Sequence, residues 1–183
     1  MKGKEGELLT NELLAGNKLT DYHEKTSHIP EVLIDALNIE LMDNVRPVRW
    51  VDPEPDGKYN IVAIGAGAGG LVSALGCAGV GGKSAICEKG MFGGDCLNTG
   101  CVPSKALIKA AKMAHMARTA HKYGISTGPI TVDFAKVMQT VREKRAKIGH
   151  HDAIERFIKV YGADIYLGEA KFVSKDTIEC NGK

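Results

Sequence analysis

The spacing of apolar and polar positions changes several times along the 183 residues, and each change predicts an element. Tyr59–Ile64 (YNIVAI) is a short apolar run without polar alternation, which predicts a strand covered on both faces. Gly65, Gly67 and Gly70 interrupt it, and helical spacing resumes over about 69–78. Lys83–Cys87 predicts a second strand, ending at Glu88. A long helix is predicted over about 103–121, with Leu107, Ile108, Ala111 and Ala114 as its packing face. Another is predicted over about 133–160 with a break near Gly149, then a strand over about 164–169. Upstream, Leu8–Leu19 and Pro30–Met42 have the spacing of short amphipathic helices. In the second, Val32, Leu33, Ala36, Leu37 and Leu41 recur near helical spacing.

Composition narrows the class. The chain is 44% hydrophobic, 25% charged and only 5% aromatic, with 22 glycines. That balance fits a globular α/β domain with close helix–strand packing better than a β-sandwich. A net charge of +2 implies no polyanionic partner, so nucleic acid is not expected. No apolar run approaches the ~18 residues of a membrane span. The first residues, MKGKEGELLTNELL, carry charges where a secretory leader needs an apolar core. A cytoplasmic, reducing compartment is expected. Five cysteines there argue for redox or metal chemistry rather than a disulfide framework.

Charge also divides the chain. Residues 1–57 carry six Lys/Arg against twelve Asp/Glu, and residues 58–183 carry eighteen against ten. The border falls in Asp52-Pro53-Glu54-Pro55-Asp56-Gly57, whose prolines and glycine mark a linker or turn. Residues 1–57 are therefore read as an N-terminal helical appendage and 58–183 as the main domain, with Trp50 packing one onto the other.

The strand–glycine turn–helix–strand order of the main domain is that of a dinucleotide-binding βαβ unit. Gly65 permits the tight turn, Gly67 lets a phosphate approach the backbone, and Gly70 lets the helix pack against the strand. The amides and dipole of the helix N-terminus then face an anion. Glu88, eighteen residues after Gly70, is placed to accept hydrogen bonds from ribose hydroxyls. The fold expected is a three-layer, Rossmann-like FAD/NAD(P)-binding domain. The glycines alone do not choose between FAD and NAD.

About thirty residues downstream stands GGDCLNTGCVPSK, residues 93–105. Cys96 and Cys101 lie at the start of a predicted helix, where the dipole lowers a thiol's pKa. One sulfur can then attack and the other resolve the mixed disulfide. Asn98 and Gly100 suit a turn, and Pro103 suits an early helical position. Two buried structural cysteines or half a zinc site are the alternatives, but no second cysteine pair lies nearby. Cys77, Cys87 and Cys180 read as isolated. A glycine loop followed by a dithiol suggests a flavin placed to exchange electrons with a disulfide.

GGDCLNTGCVPSKALIKAAK resembles the redox-active segment of the pyridine nucleotide–disulfide oxidoreductases, in its dihydrolipoamide dehydrogenase and mercuric reductase branches. NVRPVRWVDPEPDGKYNIVAIGAG and HDAIERF are similar to mercuric reductase-like flavoproteins. The resemblance covers roughly residues 44–183. It implies that Gly65, Gly67 and Gly70 line the FAD pyrophosphate and that Glu88 binds the adenosine ribose. It implies backbone contacts to FAD from Gly90 and Asp95, a place for Lys105 by the flavin ring or its chain, and a contact from Ala170 to the adenine. Cys96 is implied as the interchange thiol and Cys101 as the thiolate lying against the flavin. Electrons would pass between NAD(P)H, flavin, the Cys96–Cys101 disulfide and a mercuric, lipoyl or other disulfide substrate. Family members homodimerise.

The sequence departs from that pattern in places. Position 95 is commonly Thr, so Asp95 is expected either to turn away, as a helix cap, or to weaken FAD binding. A second GxGxxG, a C-terminal His–Glu pair, a dimerisation domain, a Cys-x-x-Cys metal-carrier module and C-terminal vicinal cysteines are not found in this sequence. The expectation is an N-terminal fragment or truncated product, with a non-catalytic FAD-binding remnant or assembly module as the alternative. His150 and His151 read as a solvated pair, and His115 and His121 as surface. Lys136, Arg142, Lys144, Arg145 and Lys147 read chiefly as a solvated basic face.

Overall fold

The computed structural model describes residues 35–183. The helix expected over Leu8–Leu19, and the beginning of that expected over Pro30–Met42, lie outside the described residues. The first described element is helix α1, Ala36–Val45. Asp35 caps it by accepting a hydrogen bond from the Asn38 amide at 2.8 Å, which satisfies one of the free donors of the first turn.

Strand β1 (Ile61–Ile64), helix α2 (Ala68–Gly79) and strand β2 (Ser84–Cys87) follow in the expected order. The strands pair in parallel, Ile61 opposite Ser84 and Ile64 opposite Cys87. Strand β3 (Asp164–Tyr166) joins the free side of β2, also in parallel, so the order is β1-β2-β3 with β2 central. β3 stops short of the predicted 169 because the chain turns into a hairpin. Its strands β4 (Ala170–Ser174) and β5 (Thr177–Cys180) pair antiparallel, with an irregularity between Phe172 and Ser174.

Period-two alternation assigns the two faces of the parallel sheet. Ala63, Ile86 and Ile165 pack into the main core with Leu71 and Ala74 of α2 and Leu41 and Val45 of α1. Phe92 and Phe157 meet edge-on in that core, with ring centroids 5.2 Å apart. Trp50 packs against the same cluster. Ala85, Cys87 and Tyr166 face the other way and are covered by Cys180 and Ala170 of the hairpin. The three layers are helices, parallel sheet and hairpin. β2 is buried throughout, but β1 is not covered on both faces as its apolar run implied. It forms the sheet edge among the described residues, and Ile61 and Ile64 are exposed.

Between β2 and β3 lie four helices: α3 (Gly94–Asn98), α4 (Cys101–Thr119), α5 (Phe134–Gly149) and α6 (Ile154–Tyr161). A single 3-10 turn, Ala120–Tyr123, ends α4 and is closed by Gly124 at φ 75°. The break near Gly149 falls where expected, between α5 and α6. The packing face of α4 is the expected one only at Ala114. Leu107, Ile108 and Ala111 are exposed, and no residue of α4 is fully buried. The half-buried positions are Val102, Pro103, Ala106, Ala110, Ala114, Ala117 and Thr119, mostly alanines at helical spacing.

The basic stretch of α5 is only partly a solvated face. Arg142 pairs with Asp35 at 2.7 Å, and Arg145 donates to the Asn38 side chain at 3.2 Å. Burial lowers the Arg145 pKa, opposed by the Asp35 carboxylate. At Gly149 an added Cβ would lie 2.6 Å from Leu41 Cδ1, so α5 closes tightly on α1. The acidic segment before residue 57 thus meets the basic helix of the main domain.

Candidate functional site

The glycine turn joins β1 to α2. Gly65 has φ 99°, and its amide donates to the Cys87 carbonyl at 2.7 Å. A Cβ on Gly70 would stand 2.0 Å from the Gly65 carbonyl oxygen, so helix and strand approach as closely as backbone allows. Gly67 differs: it is the N-cap of α2, and a Cβ there meets nothing within 4 Å. No side chain at that cap competes for the first-turn amides. Open space over Gly67 beside a helix N-terminus is where a pyrophosphate fits.

Glu88 lies at the C-terminal end of β2 and is buried. Its Oε2 accepts from the Ala66 amide and its Oε1 from the Gly90 amide, both at 2.6 Å. The acid therefore braces the glycine turn from behind while its remaining lone pairs can accept from hydroxyls. The Gly90 amide is used by Glu88, and the Gly90 carbonyl accepts from Arg46 at 3.1 Å. Arg46 also donates to the Glu88 carbonyl at 2.9 Å and the Leu167 carbonyl at 3.4 Å. Burial lowers its pKa, against the opposing pull of Glu88 and Asp52. Sequence reasoning gave Arg46 no role. An arginine before a proline carries no local signal that it will clamp two strand ends more than forty positions away.

The dithiol segment docks on this turn through two glycines. The Gly93 amide donates to the Ala66 carbonyl at 2.9 Å. Gly93 and Gly94 have φ 87° and 57°, and a Cβ on Gly94 would stand 2.6 Å from Gly67 Cα. Asn98, buried within the segment, donates to the Phe92 and Gly94 carbonyls at 3.1 and 2.9 Å. Turn compatibility was all that the sequence assigned to it.

Cys96 sits in α3, while Cys101 opens α4. Gly100 links them, and a Cβ there would lie 2.9 Å from the Asp95 carbonyl oxygen, so this position keeps the two helices close. Both sulfurs are exposed thiols. They interact directly: a hydrogen bond with Cys101 holds the Cys96 pKa above the ordinary thiol range, although the Lys105 charge pulls it down. For Cys96 the direction is opposite to that expected from a helix N-terminus. The neighbouring sulfur outweighs the dipole because α3 has only five residues and its axis supplies little field.

Asp95 is exposed and does not cap α3; the N-cap is Gly93. Its carboxylate instead accepts from the Thr99 hydroxyl at 3.4 Å. Lys105 is exposed one turn into α4. Ala170 begins β4, next to Glu169, which pairs with Lys89 at 3.7 Å. That contact places the start of the hairpin beside the loop that follows Glu88.

Two further expectations change. His150 is not merely solvated: its Nε2 lies 2.8 Å from Glu40 Oε1. Cys87 and Cys180 are not isolated. They are buried together in one cluster, and each affects the other's pKa. Among the described residues, no group of three or more His, Cys, Asp or Glu gathers at metal-binding distance.

The site thus combines a parallel βαβ unit, an open glycine turn and an exposed dithiol segment seated against that turn. The sequence model of the family described as pyridine nucleotide-disulphide oxidoreductase matches residues 59–183. The chain belongs to that family. It is 42% identical over 127 residues to dihydrolipoyl dehydrogenase of Trypanosoma brucei brucei, covering 68% of this chain and 26% of that protein. It is 30% identical over 148 residues to mercuric reductase of Bacillus cereus, covering 81% of this chain and 23% of that protein. It is 32% identical over 154 residues to mercuric reductase of Lysinibacillus sphaericus, covering 84% of this chain and 28% of that protein. The chain thus spans about a quarter of the length of these relatives. No helix among the described residues is long and apolar enough to cross a membrane.

Proposed function

We propose that this chain carries the FAD-binding turn and the redox dithiol of an NAD(P)H-linked disulfide oxidoreductase. The observation that carries the reading is the contact of Gly93 and Gly94 with Ala66 and Gly67. It puts the thiol segment against the turn where a dinucleotide's phosphates fit. Gly65, Gly67 and Gly70 would hold the pyrophosphate, with Glu88 at the ribose and the backbone of Gly90 and Asp95 alongside. Lys105 would stand by the flavin ring or its chain, and Ala170 by the adenine. Bound FAD would supply two-electron exchange between a nicotinamide and the disulfide.

The residues of the chain divide the thiol chemistry. Cys96 would be the interchange thiol: it would attack one sulfur of a disulfide substrate, or take the attack of a dithiol substrate's thiolate on the closed Cys96–Cys101 disulfide, or bind the metal ion. Cys101 would stand on the flavin side; after attack on a disulfide substrate it would close the intramolecular disulfide and release the substrate's second thiol, and with a dithiol substrate it would leave as the thiolate. The neighbouring Cys101 sulfur raises the Cys96 pKa, and the Lys105 charge opposes it. The substrate is mercuric ion, a lipoyl dithiol or another disulfide. Both branches are represented among the relatives, by mercuric reductases and by dihydrolipoyl dehydrogenases. The exposed apolar side chains Leu107, Ile108, Met113 and Met116, spread around α4, favour a second element of the reading. The chain works as part of a larger assembly that covers this helix.

The test is FAD titration followed by flavin fluorescence and calorimetry. Wild type should bind, and Gly67→Val, which puts branched carbons over the turn, should not. Equal affinity in both would refute the site.

A further inference from the structure

The dithiol at residues 96 and 101 is not the only pair of cysteines that the fold brings together. Cys87 ends β2, and Cys180 ends β5 on the hairpin that covers that face of the sheet. Ninety-two positions separate them in sequence, yet both are buried in one cluster. They line a cavity of about 670 Å³ between sheet and hairpin, together with Tyr59, Tyr166, Phe172 and Lys183. We propose that Cys87 and Cys180 form a second, oxidisable dithiol that reacts with small disulfides entering this cavity. Its closure would staple the hairpin to the central strand.

Three observations support this. The first is proximity: Cys87 and Cys180 are both buried in the one small cluster where the hairpin covers the sheet. The second is room. The cavity abuts both sulfurs, and the hairpin above it is lightly held, with four of the five residues of β4 exposed. Its anchorage is concentrated at its base, where Asn181 donates to Asp52 at 2.7 Å and to the Leu167 carbonyl at 3.0 Å. A lightly packed two-stranded element opens at little cost. The third is an asymmetry between the sulfurs. Burial holds both protonated, Cys87 up to about 12. At Cys180 the Cys87 thiol and the Arg46 charge pull the pKa down against that effect, while the Asp52 charge adds to it.

The asymmetry sets the order of steps. The Cys180 thiolate attacks one sulfur of a small disulfide, forms a mixed disulfide and releases one thiolate. Cys87 then loses its proton to solvent, attacks the Cys180 sulfur and expels the second thiolate. Two protein thiols are oxidised, one external disulfide is reduced to two thiols, and no other reactant is required.

Tryptic peptides separate the two pairs. Cys96 and Cys101 fall in one peptide, Gly90–Lys105, whereas Cys87 lies in Ser84–Lys89 and Cys180 in Asp176–Lys183. The folded chain is incubated with oxidised glutathione, its remaining thiols are alkylated, and it is digested without reduction. The expected product is Ser84–Lys89 linked to Asp176–Lys183, with a higher thermal midpoint for the oxidised chain. Cys180→Ala should remove the link and the rise in midpoint. A parallel digest after unfolding in guanidinium should give scrambled links instead. Glutathione adducts on Cys87 or Cys180 without the link would overturn the proposal, because the two sulfurs then do not close. Alkylated, unlinked thiols alongside an oxidised Cys96–Cys101 pair would overturn it as well, because the cavity then admits no disulfide.

Discussion

At the scale of single residues, two glycines three positions apart meet opposite constraints. A Cβ on Gly70 collides with the Gly65 carbonyl, while one on Gly67 enters open space. Gly70→Ala should therefore push α2 off β1 and destabilise the chain by about 1–3 kcal/mol, the range for overpacking. Gly67→Ala should cost under about 1 kcal/mol, since its φ of −80° suits any residue. Urea unfolding measures both; flavin titration should show that Gly67→Ala weakens binding despite its near-normal stability. Cys96 permits a pH prediction. Its raised pKa means less thiolate at neutral pH, so its alkylation rate should rise at higher pH than for an ordinary thiol. Cys101→Ala removes the main cause and should shift the profile to lower pH. Lys105→Met removes a lowering charge and should shift it higher. Iodoacetamide labelling, resolved by mass spectrometry, reads all three. Asp152 gives the opposite case for stability. Burial raises its carboxyl pKa, against the charges of His151 and Arg156. The folded chain then holds this proton more tightly than the unfolded one. The penalty is complete above the folded pKa and is relieved as pH falls through it toward the unfolded value. Asp152→Asn should be more stable than wild type at pH 7, and the difference should shrink in acid.

At the scale of elements, packing between α1 and α5 combines charge with close approach. The Asp35 carboxylate caps α1 and pairs with Arg142 of α5, and these side chains are 28% and 25% exposed. A double-mutant cycle with Asp35→Ala and Arg142→Ala should give a coupling of about 1 kcal/mol, reduced by salt. Arg46 carries a larger burden. It satisfies the carbonyls of Glu88, Gly90 and Leu167, the ends of two strands beside the proposed ribose site. Arg46→Met keeps much of the apolar stem but loses these donors. It should cost about 2–4 kcal/mol, measured by urea unfolding at neutral pH. A loss below about 0.5 kcal/mol would show that water replaces the guanidinium fully.

At the scale of the whole molecule, two motifs separated in sequence become one site because a loop folds back. The chain leaves β2 at Glu88, passes Phe92 in the core, and returns Gly93 and Gly94 to the glycine turn. On the opposite face of the sheet, the hairpin brings Cys180 to Cys87. The molecule therefore holds one exposed pair of sulfurs and one buried pair, on different sides of the same three strands.

Much of this was legible in the sequence. Tyr59–Cys87 fixes a parallel βαβ unit because glycine spacing, apolar runs and a terminal acid are local properties of the chain. The Cys96–Cys101 pair is equally local, five positions apart with Gly100 between. Tertiary structure decided what depends on neighbours distant in sequence. β1 is exposed at one edge because its partner lies on one side only. Alanines rather than leucines face inward on α4, because small residues allow close approach and the larger ones are left outside. Part of the basic face of α5 is buried because acidic residues before position 57 fold over it. Cys87 and Cys180, each unremarkable in its own segment, come together because the hairpin covers that face of the sheet. Local sequence encodes backbone conformation and short spacings. It does not encode which side chain of one element meets which of another, and the pKa values, clamps and second dithiol all depend on those meetings.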